Sequence, residues 1–334
     1  MSSSPIWLLP QGVSEILPEE AAKFEALRRS LLDELQSQQF QLVMPPMVEF
    51  LDNLIQGAGS ELTTQTFKFP DYDSHKTLGI RADMTPQIAH IDCHRLAENA
   101  INRLCYIGTV LRTKPMTPGG SRELFQIGAE IFGDDSIDAD KQIIDAMLSV
   151  HTVALKEAAS ITLSLSHIGI FSSLIQALEI NENLSADIYD ALLRKSTPDI
   201  IALNQRSDID INAFCVLSKA RGGVEILDQF LAEPSIKVLL SKNQDFAQEI
   251  NTAFAQLKDI SQHLQNVSNV NVHIDLSELH GYQYHTGLTF QSFIEGEGRA
   301  IAKGGRYHGL SQSADSERPA TGFSADLKLL ASLS

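Results

Sequence analysis

The chain has 334 residues, with 26 Lys+Arg against 42 Asp+Glu and a formal net charge of −16. Its 43% hydrophobic and 20% charged residues are those of an ordinary globular protein, and the length suggests about two domains. The acidity argues against a protein that grips phosphate backbones, because the only adjacent basic pairs are Arg28-Arg29 and Arg194-Lys195.

Three scattered cysteines, Cys93, Cys105 and Cys215, are too few for a disulfide framework and fit a reducing compartment. No signal peptide is read at the N-terminus, and no apolar run is long enough to span a bilayer. The expectation is a soluble, cytoplasmic protein.

Taken in chain order, Pro18-Glu19-Glu20 opens a helix whose apolar face is Phe24, Leu27, Leu31 and Leu35. Gln39 to Met44 reads as a strand stopped by Pro45-Pro46. Thr66 to Phe69 and Lys76 to Ile80 read as a hairpin turning at Asp71–Ser74. Residues 85–99 are expected to be helical. Leu104 to Leu111 and Glu123 to Phe132 are expected strands, joined by the Pro/Gly-rich loop Pro115 to Gly120. A long helix over 138–158 precedes a strand at Ile161 to Leu165.

The character then changes. Residues 170–266 read as helices almost throughout, broken at Asn181–Asn183, Ser196–Pro198, Gly222-Gly223 and Glu233-Pro234. Strand signals return at Val270 to Leu276, Leu288 to Ile294 and Arg299 to Ala302. The expected class is α+β, with a mainly antiparallel sheet flanked by helices. The expected partition is a core of residues 1–169 and 267–334, with 170–266 as a helical insertion domain.

Two local signals carry little. His90 and His94, with Cys93 between them, share a helical face, but the pattern lacks a third ligand and is not that of a zinc protease. No metal site is expected. Gly304-Gly305-Arg306 lacks the Lys-Ser/Thr of a P-loop, and Gly287, Gly304 and Gly305 also fit simple turns.

Three separated segments carry more information together. They are Leu78-Gly-Ile-Arg81-Ala-Asp83-Met-Thr85, then Arg112 to Gly133, then His280-Gly281-Tyr-Gln-Tyr284-His285-Thr286-Gly287 followed by Lys303 to Leu310. With these in place the chain resembles histidyl-tRNA synthetase, a class II aminoacyl-tRNA synthetase. Residues 45–50 are similar to motif 1, which builds the family's dimer interface. The stretch from Arg112 is similar to motif 2, and Gly322 to Leu330 to motif 3. The resemblance implies the class II synthetase-like fold and a pocket for free histidine.

The chemistry of the matching positions suits that ligand. Asp83 offers a carboxylate to an α-ammonium group and Thr85 adds a hydroxyl. Gln126 stands where the family places an amide near the amino acid, and Arg112 keeps the motif 2 arginine. Glu130 accepts from an imidazole N–H, a selection that discriminates strongly because a wrong ligand leaves a buried group unpaired. Tyr284, His285 and Tyr307 complete the expected effector-binding set. Gln126 and Glu130 also fit as ordinary sheet residues.

The departures concern ATP. Lys114 replaces the motif 2 glutamate, and Gly119-Gly120-Ser121 replaces a Gly-Arg-Tyr. Lys328-Leu329 replaces the Glu-Arg of motif 3, and His280 replaces the arginine that acts on the activating phosphate. Each preorganised charge lost costs transition-state stabilisation, so histidine adenylation is not expected. Only four residues follow Leu330, which leaves no room in this sequence for an anticodon-binding domain.

The profile resembles one family of synthetase paralogues, the regulatory subunits of ATP phosphoribosyltransferase in bacterial histidine biosynthesis. That resemblance implies no catalysis and no cofactor in this chain. It implies a separate short-form catalytic subunit as partner, with Mg²⁺ at that partner, and histidine as feedback effector. It further implies a self-dimer through the motif 1 region, without tRNA or membrane partners. A segment around Tyr282 to Thr286 is expected to close over histidine. The rival readings are a truncated active ligase, a pseudo-synthetase that binds tRNA, and a stand-alone histidine sensor.

Overall fold

The computed structural model describes residues 8–55, 60–96, 100–115, 120–155, 159–282, 284–310 and 318–333. In chain order the elements begin with α1 (Pro18–Ser37), β1 (Gln41–Leu42), β2 (Val48–Phe50), α2 (Leu51–Ile55), α3 (Ser60–Gln65), β3 (Phe67–Pro70) and β4 (Thr77–Ile80). They continue with α4 (Thr85–Arg95), β5 (Asn102–Leu111), β6 (Glu123–Phe132), α5 (Ile137–Ala154), β7 (Ile161–His167), α6 (Ile168–Ala177), α7 (Glu182–Leu193) and α8 (Thr197–Arg206). The remainder are α9 (Asn212–Leu217), β8 (Arg221–Gly222), α10 (Ile226–Ala232), α11 (Pro234–Lys242), α12 (Gln244–Leu264), β9 (Val270–Asp275), β10 (His285–Ile294), β11 (Ala302–Gly309), β12 (Arg318–Asp326) and α13 (Leu327–Leu333).

The chain divides into two compact units. The first comprises residues 1–135, 143–157 and 309–334, the second residues 136–142 and 158–308. In the first unit the strand order is β1-β5-β6-β12, parallel between β1 and β5 and antiparallel elsewhere. Helix α1 packs on β5 and α13, burying Leu31, Leu32 and Leu35. Phe24, on the same face, meets Phe125 edge-on at 5.0 Å. A smaller antiparallel sheet, β2-β4-β3, carries the expected hairpin.

The second unit orders its strands β11-β10-β7-β9-β8, with β7 and β9 parallel and the other pairs antiparallel. Helices α6 to α12, which fill the stretch expected to be helical, lie in this unit with those strands. Their apolar core includes Phe171, Phe214, Phe230, Phe246 and Phe254. The four expected breaks fall at helix boundaries for local reasons. Asn181 caps α7 by accepting from Leu184 N at 3.0 Å, while Pro198 and Pro234 lie in the first turns of α8 and α11.

Several expectations need correction. The expected strand Gln39–Met44 shrinks to Gln41–Leu42, because Gln39 is in the left-handed region at φ 67° and Pro45-Pro46 follow. The strand expected at Arg299–Ala302 instead runs Ala302–Gly309. Gly287, Gly304 and Gly305 are strand residues, not turn residues. At Gly305 a Cβ would meet the Leu288 carbonyl at 2.6 Å and the His285 ring at 3.0 Å, so close strand approach explains that glycine. The end of the expected helix 85–99, that of helix 138–158 and the loop residues 116–119 lie outside the described residues. Among the described residues no helix is long and apolar enough to cross a membrane.

Candidate functional site

In the first unit, the residues that carry the site lie at the start of α4 and on the facing strands. Asp83 Oδ1 accepts from Thr85 N at 2.8 Å, and Gln126 Oε1 accepts from Met84 N at 2.9 Å. Two amides at the start of α4 are thereby satisfied by side chains. Gln126 Nε2 then donates to Asp83 Oδ1 at 3.1 Å, so both ends of its amide have fixed roles. Gln126 is buried and Asp83 half-buried.

A second chain of contacts meets Glu130, which is only 2% exposed. Tyr106 donates its hydroxyl to Glu130 Oε1 at 3.0 Å, and Thr85 Oγ1 lies 3.0 Å from the same hydroxyl. Thr85 also reaches Glu130 Oε1 at 3.4 Å. Burial, then the nearby Glu130 and Asp83 charges, push the Tyr106 phenol well above its ordinary range, so it stays a donor. Arg112 donates from Nε to Ala82 O at 3.2 Å, and its own carbonyl accepts from Arg122 Nε.

Space for these side chains comes from glycines across the strands. Tyr106 pairs with Gly128, Gln126 with Gly108 and Glu130 with Gly322 in the ladders β5–β6 and β6–β12. A Cβ at Gly322 would collide with the Glu130 carboxylate, and one at Gly128 with the Tyr106 hydroxyl. At Gly108 it would lie 2.7 Å from Arg81 Nη2. Tyr106 was not singled out from the sequence. The signal that points to it is Gly128, the glycine opposite it in the ladder.

In the second unit, Tyr284, His285 and Tyr307 come together. Tyr284 stacks on Tyr307 with centroids 4.7 Å apart and planes at 26°, and meets His285 edge-on at 5.2 Å. The His285 ring lies between two glycines. A Cβ at Gly281 would be 2.7 Å from its Cδ2, and one at Gly305 would be 3.0 Å from its Nδ1. Burial pushes the His285 imidazole down to about 4, so it is neutral near pH 7. The eight expected residues thus form a polar set of five in one unit and an aromatic set of three in the other.

The positions of the missing ATP clamps have other occupations. Leu329 is buried in the apolar core, and Lys328 Nζ pairs with Glu123 at 2.8 Å. Lys114 is exposed, and His280 pairs with Glu278. His90 and His94 approach edge-on at 5.9 Å, and among the described residues no His/Cys/Asp/Glu group is arranged to hold a metal.

Comparison with known proteins decides the family. The histidyl-tRNA synthetase family model matches residues 12–330. The ATP phosphoribosyltransferase regulatory subunit of Alkalilimnicola ehrlichii is 40% identical over 97% of this chain and 79% of its own length. The chain belongs to the ATP phosphoribosyltransferase regulatory subunit family. As members of this family are, it is a regulatory and not a catalytic subunit, within histidine biosynthesis. Solved structures share its class II histidyl-tRNA synthetase fold. One is an ATP phosphoribosyltransferase regulatory subunit/histidyl-tRNA synthetase from Bacillus halodurans, with TM-score 0.83, 23% identity, and coverage of 100% of this chain and 84% of that one. Another is the ATP phosphoribosyl transferase (HisG:HisZ) complex from Thermotoga maritima, with TM-score 0.67, 18% identity, and coverage of 90% and 96%.

Proposed function

We propose that this regulatory subunit binds a short-form ATP phosphoribosyltransferase catalytic subunit, activates it, and conveys feedback inhibition by histidine. The near-full-length similarity to regulatory subunits carries this reading. The Thermotoga maritima structure is of a two-component complex, which supports a partner of the same kind here. The partner joins ATP to phosphoribosyl pyrophosphate with Mg²⁺, releasing pyrophosphate; this chain supplies no cofactor and forms no bond.

Histidine is the effector. Glu130 accepts from its imidazole N–H, and Asp83 from its α-ammonium group. Thr85, Gln126 and Arg112 are the other determinants in the first unit. Within the second unit, Tyr284, His285 and Tyr307 form a separate aromatic set that senses the effector. A ligand regulates only through different affinity for two states of the assembly, so histidine must favour the less active state.

The chain works in the cytosol, without tRNA. Both adjacent basic pairs are engaged by acids, Arg28 and Arg29 with Glu25, Arg194 with Asp190 and Asp199, and Lys195 with Asp275 and Glu278. A second copy docks along the motif 1 segment, where Met47 and Val48 are 44% and 39% exposed and the preceding Met44 is 75% exposed. Reconstitution tests the assignment: the chain is mixed with the catalytic subunit, and phosphoribosyl-ATP formation is followed with and without histidine. Stimulation by the chain and inhibition by histidine that requires the chain are expected. An unchanged rate on adding the chain would overturn it.

A further inference from the structure

The end of α7 holds a lysine where a glycine is the ordinary choice. Lys195 N donates to Leu192 O and Ser196 N to Ala191 O, both at 2.9 Å, the paired bonds that close a helix through a left-handed residue. Lys195 is that residue, at φ 53°. Glycine takes this conformation without a steric penalty, whereas a lysine is strained in it.

The lysine side chain shows what is gained. Its Nζ lies 3.0 Å from Asp275 Oδ2, 3.0 Å from Ser277 Oγ and 3.5 Å from Glu278 Oε2, and the three charged side chains are between 12% and 28% exposed. Asp275 Oδ1 meanwhile accepts from Ser277 N and Oγ, closing a tight turn after β9. Glu278 accepts from His280 N at 3.1 Å, and its carboxyl is held down to about 2 by His280 and Lys195 against the opposing effect of burial.

The segment tied down in this way leads directly into the aromatic set. Tyr284 N and His285 N both donate to Gly281 O at 2.8 Å, a turn in which Gly281 has φ 76°. Tyr282 packs against Phe171 of α6 at 4.9 Å and Tyr189 of α7 at 5.4 Å. One side of the segment is therefore held by aromatic contact with the helices and the other by the Lys195 ion pairs.

We propose that Lys195 is a positioning residue for the effector, fixing Asp275–Glu278 on the end of α7 so that the following turn presents Tyr284 and His285 beside Tyr307. This rests on the reading that those three residues sense histidine. It also makes α7 and the aromatic set one mechanical element, so a shift at either is felt at the other.

A matched control exists in the same unit. Glu179 closes α6 with the same pair of bonds and φ 50°, but its side chain is exposed. The test compares Lys195→Gly, Lys195→Arg and Glu179→Gly in the full chain, by calorimetric titration with histidine and by thermal unfolding. Lys195→Gly relieves the left-handed strain but strips the cation from Asp275 and Glu278, so its unfolding temperature should lie below that of Glu179→Gly, while histidine binding weakens about fivefold or more. Lys195→Arg should restore binding to within about twofold of wild type, because a cation again reaches both carboxylates. Glu179→Gly should raise the unfolding temperature and leave affinity unchanged. Wild-type affinity in Lys195→Gly would overturn the proposal. Lost binding in Lys195→Gly that Lys195→Arg does not restore would make Lys195 a residue of the fold and overturn it too. If the wild-type chain itself bound no histidine, the effector reading would fail and this inference with it.

Discussion

Asp92 and Glu130, both buried in the first unit, are held by different chemistry. Asp92, 1% exposed, receives Arg318 Nε at 2.5 Å, Arg318 Nη2 at 3.1 Å and Asn102 Nδ2 at 2.6 Å. Arg318 also donates to Ala100 O at 2.9 Å. Glu130, 2% exposed, receives the hydroxyls of Tyr106 and Thr85 and lies over Gly322. A guanidinium fork neutralises and clamps its partner, which suits a joint between α4 and β12. The Tyr106 and Thr85 hydroxyls orient the Glu130 carboxylate, which suits a group that accepts from a ligand donor.

Breaking the first arrangement should cost the most. Arg318→Met leaves Asp92 buried without its cation and should destabilise the chain by about 3–5 kcal/mol. Denaturant unfolding measures this, and histidine affinity of the folded variant should stay within about twofold, since no effector group is touched. Glu130→Gln should show the reverse. The volume is kept, so the unfolding midpoint should move little, but a charged acceptor for the imidazole N–H is gone. Histidine binding should weaken about thirtyfold or more by titration calorimetry. Equal losses of stability in the two variants would erase the distinction between joint and site.

The same contrast shows what can be read from the sequence. The helical stretch was legible because Asn181, Pro198 and Pro234 punctuate it with local chemistry. The polar set was legible because Asp83, Thr85, Gln126 and Glu130 stand in an ordered family pattern. Strand β12 was not, since Pro319, Ala320, Gly322 and Ala325 have poor strand propensity. Those small residues follow from a tertiary demand, because Gly322 must leave room for the Glu130 side chain. Tyr106 was hidden for a related reason: between Leu104, Cys105 and Ile107 it reads as core until its partner Gly128 is known. The Asp92–Arg318 joint links residues 226 positions apart, and no local pattern announces it.

A third kind of buried polar group sharpens the contrast, one that stays neutral. His151, 0% exposed in α5, is pushed down to about 4 by burial, as are His167 and His285 in the second unit. In the unfolded chain these imidazoles take up protons near their ordinary value of 6.5. Between that value and about 4 the unfolded state binds more protons, so stability should fall as the pH drops through this window and level off below it. Each histidine contributes at most about 1.4 kcal/mol per pH unit to the slope. His151→Gln should flatten a plot of unfolding free energy between pH 6.5 and 5 by up to that amount. An unchanged slope would mean that His151 titrates alike in both states.

The smallest effect tests how the Glu130 carboxylate is oriented. Tyr106 donates to Oε1, whereas Oε2 is the oxygen nearest Gly322. Tyr106→Phe removes one donor and keeps the ring over Gly128, so packing is nearly conserved. Losing one hydrogen bond to a carboxylate that is otherwise still held should weaken histidine binding about fivefold, corresponding to about 1 kcal/mol. Calorimetric titration of both chains checks this, and no loss at all would place the orienting contact on Thr85.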